Sequence, residues 1–341
     1  MKKQALTIIC ASLTACGVFA DAYKDAYAAG GKEEKAKKYE VAATSYLSAA
    51  DVATKPQQKA EALFRAGECF RSISKFGKAD DCYKKIIGLK DISSYTLGLA
   101  QLRIGQLLYW QNKYAESIAE LEKVDDIKGV HLHLQTDAML HCGYNYDRMK
   151  KYDKAEECYR NVMAQGKTYP HHLSRAAVCL GNDLRIQKKY EDALAEFSKV
   201  PEIPGAHPHH ISDAYMNMGY VLREQKKYKE AIAAFEKCIA FEKAHPYHKS
   251  GSQVNIGSVL RDQKKYDEAI KAYAKTYDMK DASPYHIVEA DRLTGYCYWD
   301  LHQYDKAKEY FEKVMAAKNT YSWQKDSAKR MLKAIAQKQK K

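Results

Sequence analysis

Residues 214–228, AYMNMGYVLREQKKY, continued by KEAIAAFEKCI as far as Ile239, form the unit from which most of this chain is built. Gly219 lies at its centre. Glycines return at a fixed step around it: Gly67, Gly105, Gly143, Gly181, Gly219, Gly257 and Gly295, each 38 residues from the next. A step that does not drift marks stacked repeats, in which each unit buries its apolar face only against its neighbours. The 341 residues therefore do not divide into two or three ordinary globular domains.

The same residue classes recur around each glycine. Three residues after Gly219 stands Leu222, nine after it Tyr228, twelve after it Ala231 and sixteen after it Phe235; large, aromatic, small and large residues follow the other glycines at these offsets. Spacings of three and four put them on one helical face in each half of the unit. A short polar turn, Glu224-Gln225-Lys226-Lys227, separates the halves, so two antiparallel helices are expected. Glycine and alanine fall where the helices cross, because only small side chains admit such close backbones. The aromatics fill the space around them.

Read this way, the chain resembles the tetratricopeptide-repeat (TPR) proteins. The family's pattern, a large residue before the glycine, another three after it and then Ala-x3-Phe, is met by Met218-Gly219, Leu222, Ala231 and Phe235, and about as well in six other units. A weaker first copy centres on Gly30, with Tyr39, Ala42 and Tyr46. The resemblance implies an all-α TPR superhelical solenoid of about eight helix-turn-helix repeats over residues 21–317, closed by a capping helix and basic tail over 318–341. The period is four residues longer than the family's usual 34. The extra residues fall between units, as in Pro201 to Gly205. Pro170, Pro208, Pro246 and Pro284 are expected to open the next first helix, where a missing N–H costs nothing.

Residues 1–20, MKKQALTIICASLTACGVFA, place two lysines before an uncharged apolar run that ends at Asp21. This is the layout of a secretory signal peptide. Val18-Phe19-Ala20 offers cleavage before Asp21, whereas Leu13-Thr14-Ala15-Cys16 resembles the bacterial lipobox and would leave a lipidated Cys16 as the mature N-terminus. Both endings predict export, to the periplasm or the outer membrane. The formal net charge is +13, much of it in Lys-Lys-Tyr turns, and it favours acidic partners.

No nucleophile elbow, phosphate loop or His-Glu-x-x-His motif occurs, and no catalytic site, cofactor or nucleic-acid partner is expected. Histidines cluster where units meet, as in His207-Pro208-His209-His210, and the column His172, His210, His248, His286 keeps the 38-residue step. Equivalent histidines of successive units are too far apart to share one ion, so packing and first-turn roles are expected in preference to a metal site. Seven cysteines follow the leader with no Cys-x-x-Cys pair; Cys69–Cys82 is the one bridge worth testing.

The family resemblance further implies that the first helix of each unit lines a concave groove. Carried over residue by residue, it nominates Tyr144, Asn182, Arg185, Asn217, Tyr220, Arg223, Asn255 and Arg261 as ligand-binding. Asn182 and Asn217 match the asparagines of the family's carboxylate clamp, but Val178, Gly251 and Asn255 stand where its basic residues would be. The expected function is a non-enzymatic protein-interaction scaffold of the bacterial envelope that binds an acidic or extended peptide. The alternatives are a structural subunit of an envelope or secretion complex against anionic lipid, or a cytosolic adaptor if the leader is retained. A second reading of the arginine column pairs it with Glu224 and Asp262.

Overall fold

The computed structural model describes residues 21–165, 169–318 and 320–339. Residues 1–20, which hold the signal-peptide and Cys16 expectations, lie outside these. The described residues are all-helical, in two compact units that divide between Thr168 and Tyr169.

In the first unit a helix over residues 21–35 (α1) pairs with α2 (Tyr39–Val52), α3 (Pro56–Ser72) with α4 (Phe76–Ile87), α5 (Ser94–Trp110) with α6 (Tyr114–Glu122), and α7 (Leu132–Arg148) with α8 (Tyr152–Ala164). In the second, α9 (Pro170–Ile186) pairs with α10 (Tyr190–Lys199), α11 (Pro208–Glu224) with α12 (Tyr228–Ala240), α13 (Pro246–Asp262) with α14 (Tyr266–Ala274), and α15 (Pro284–Asp300) with α16 (Tyr304–Ala316). Helix α17 (Ser322–Lys338) follows. Its Ala328 and Ile335 pack with Phe311 and Val314 of α16, so it covers the last pair's apolar face. Within each unit the pairs stack as a solenoid.

The sequence explains both ends of each first helix. Four of them in the second unit begin at the expected prolines. Where the preceding residue is His207 or His245, the imidazole Nδ1 accepts the N–H two residues on, at 3.2 Å. Helix α11 ends in a Schellman turn: Lys227 N–H reaches the Leu222 carbonyl at 2.8 Å while Lys226 adopts φ 60°. Lys150, Lys188 and Lys264 take the same left-handed conformation, which costs an L-residue with a side chain roughly 1 kcal/mol. Lys226→Gly is therefore expected to stabilise the second unit by about 0.5–1 kcal/mol, read as a higher urea midpoint.

Close approach accounts for the glycine column. A Cβ on Gly219 would lie 2.5 Å from Phe235 Cε1. Phe235 itself is fully buried, as are its counterparts Phe197, Tyr273 and Phe311. The seven described cysteines are free thiols, Cys69 and Cys82 among them, and burial pushes each of those two up to about 11. They behave as small core residues.

Candidate functional site

Seven of the eight nominated residues lie in the second unit, on α9, α11 and α13. The arginines form a ladder. Arg185 Nη1 meets Glu224 Oε1 at 2.8 Å, Arg223 binds Asp262 through Nε at 2.6 Å and Nη2 at 3.1 Å, and Arg261 Nη2 meets Asp300 Oδ2 at 3.2 Å. Each pair joins one repeat to the next, across 39 residues. The side chains stay about a third exposed, so each pair contributes only about 0.2–1 kcal/mol.

The ladder does not use all the donors. Arg185 Nε and Arg261 Nε are buried with no hydrogen-bond partner. An open groove of ≈470 Å³ runs between Arg185, Tyr220, Arg223, Glu224 and Asp262. It offers guanidinium edges, carboxylates and one phenol to whatever enters.

The amides are committed elsewhere. Asn217 is buried and gives its Nδ2 to the Asp213 carbonyl at 3.0 Å and to Asp213 Oδ1 at 2.9 Å. Asn255 gives its Nδ2 to Tyr220 Oη at 2.9 Å and to the Gly251 carbonyl at 2.8 Å. With Asn217 spent inside its own helix, the pair carried over from the carboxylate clamp is not set out as a clamp. Asn182 lies half-buried on α9. Tyr144 belongs to the first unit, where its ring sits 5.3 Å from His141 and 6.1 Å from Tyr159.

Two features escaped the sequence reading. Burial pushes the Asp213 carboxyl up to about 6, opposed only by the Asn217 hydrogen bond. The histidine column is tied to serines of the preceding repeat: Ser174 Oγ–His210 Nδ1 at 2.8 Å, Ser212 Oγ–His248 Nδ1 at 2.6 Å and Ser250 Oγ–His286 Nδ1 at 2.9 Å. The signal was there, since serines at 174, 212 and 250 stand 36 residues before these histidines. A Ser–His contact suggests a nucleophile and its base, but the three serines are fully buried and no substrate reaches them. Gly251 leaves room for the last imidazole: a Cβ there would meet His286 Cε1 at 2.9 Å.

With this geometry in view, the family models can be set beside the chain. The tetratricopeptide-repeat models match residues 136–164, 212–244 and 250–320. The chain carries tetratricopeptide repeats. Among solved structures, a TPR protein from Parabacteroides merdae is 15% identical, with a TM-score of 0.55, over 82% of this chain and 99% of that one. The apo form of RapI is 16% identical, with a TM-score of 0.58, over 93% of this chain and 98% of that one. At such identities the likeness concerns the fold. No curated protein sequence matches. TPR folds are typically non-enzymatic interaction scaffolds, and the family models matched here are tetratricopeptide-repeat models.

Proposed function

We propose that this TPR chain is a non-enzymatic scaffold of a bacterial envelope that takes an acidic, extended peptide segment against α9, α11 and α13. The groove at Arg185, Tyr220 and Arg223 carries this reading, because it sets two part-exposed guanidinium groups beside a rigid aromatic. Arginine suits planar carboxylates, and tyrosine supplies contact area at little entropic cost. Peptide carboxylates would displace or share the bonds now made by Glu224, Asp262 and Asp300. The exchange is near-neutral in charge, so selectivity would come from peptide shape as well as charge. Export rests on Lys2-Lys3 and the apolar run to Ala20. No helix among the described residues is long and apolar enough to cross a membrane.

The test uses fluorescence anisotropy with a labelled peptide rich in Glu and Tyr. Arg223→Ala is expected to weaken binding at least tenfold, while Lys271→Ala, on α14, leaves it unchanged. Equal binding by both variants, or none by the unaltered chain, refutes the groove. Intact mass from the native host tests export separately: a chain starting at Asp21 or at a lipidated Cys16 supports it, and a retained Met1 contradicts it.

A further inference from the structure

The histidines at the starts of the first helices in the second unit fall into two groups of three. His171, His207 and His210 have ring centroids 5.5, 4.8 and 5.4 Å apart. One repeat further, His209, His245 and His248 have centroids 5.9, 4.5 and 6.0 Å apart. Each member of the second triad lies 38 residues after its counterpart in the first. Three imidazoles around one tetrahedral zinc, with Zn–N of about 2.0–2.1 Å, hold their ring centres about 5 Å apart. The ring centres of the first triad lie near this spacing, and those of the second scatter more widely around it.

We propose that the two triads bind divalent transition-metal ions of the zinc class, one ion to each. The hydrogen bonds around the inner ligand support this. Ser212 Oγ donates to the His209 carbonyl at 2.9 Å, which leaves its lone pairs to accept from His248 Nδ1–H. With the Ser212 proton on a backbone carbonyl, His248 carries its own proton on Nδ1 and presents Nε2 as a ligand, the usual second-shell device of metal-binding histidines. Ser174, donating to the His171 carbonyl at 3.1 Å, does the same for His210. His171, His207, His209 and His245 are exposed, which gives an ion a path in.

The nitrogens have yet to converge. The rings meet at interplanar angles of 41° to 83°, and neither triad has one nitrogen from each ring within 4.8 Å of both others. Ligation turns the exposed rings about χ2 and exchanges their present contacts for the ion, among them the N-cap bonds of His207 and His245 at 3.2 Å. The next junction places Tyr247, Ser283 and His286 at the equivalent positions and has lost the ligand set.

His207→Asn and His245→Asn test this without weakening the helix starts, since asparagine is a favoured N-cap. After chelator treatment, Co²⁺ uptake is followed by its visible absorption, with Zn²⁺ as competitor and thermal melts to confirm folding. Each single variant is expected to lose one equivalent of tight uptake, and the double variant both, with affinity at each altered site reduced at least tenfold. Uptake by the double variant equal to that of the unaltered chain overturns the proposal. So does failure of the unaltered chain to take up Co²⁺ at micromolar concentration.

Discussion

Phe235→Ala is expected to destabilise the second unit by about 3–5 kcal/mol, the cost of emptying a fully buried aromatic site. The informative companion is Gly219→Ala. Alanine improves helix propensity by about 1 kcal/mol, but its Cβ would meet Phe235 Cε1 at 2.5 Å, and the overpacking costs about 1–3 kcal/mol. In the double variant the new methyl occupies space that the ring has vacated. The two changes should therefore fall short of additivity by about 1 kcal/mol or more. Urea titrations of the four proteins read this directly. Strict additivity would mean that Gly219 and Phe235 are not each other's packing partners.

Acid should weaken the same unit through its histidine column. Burial lowers His210 to about 3 and His248 and His286 to about 4. Beyond burial, His210 faces His171, His207, Arg175 and His209, and His248 faces His209, His245 and His286; Glu289 pulls His286 the other way. An unfolded imidazole protonates near 6.5, so between pH 6.5 and 4 the unfolded chain holds more protons than the folded one. The stability these groups confer is complete above pH about 7. It falls as pH drops through 6.5 towards 4, and levels off below the folded values. Allowing for solvent screening, the loss from pH 7 to 5 is about 1 kcal/mol for each histidine, about 3 kcal/mol together. Replacing all three by glutamine should flatten that slope, as measured by urea unfolding at pH 7, 6 and 5. An equally steep slope would put the acid sensitivity elsewhere.

The backbone was legible because it repeats. Gly219 and its column mark the helix crossings, Tyr228 and its column begin the second helices, and Pro208 and its column begin the first. These positions are dictated within a unit, by helical period and chain chemistry. What joins one unit to the next was harder to read. Arg223 with Asp262 was anticipated as one of two readings, and Asp300 completes the set. Ser212 with His248, and Asn217 turned back on Asp213, went unseen, because such contacts depend on the rotation between successive pairs and on rotamers. The same holds for the nominated residues: the columns give their positions along the helices, but not which side chains, such as Asn217 and Asn255, are already bonded within the fold.

The most direct test of the scaffold reading is site-specific photocrosslinking in the native host. A photoreactive phenylalanine analogue at position 220 faces the groove formed with Arg185 and Arg223. The same analogue at position 271 lies on a separate groove lined by Glu236, Leu260 and Lys275. The account predicts a discrete protein adduct from position 220 and none from position 271. Adducts from 271 alone, or equally from both, would contradict it.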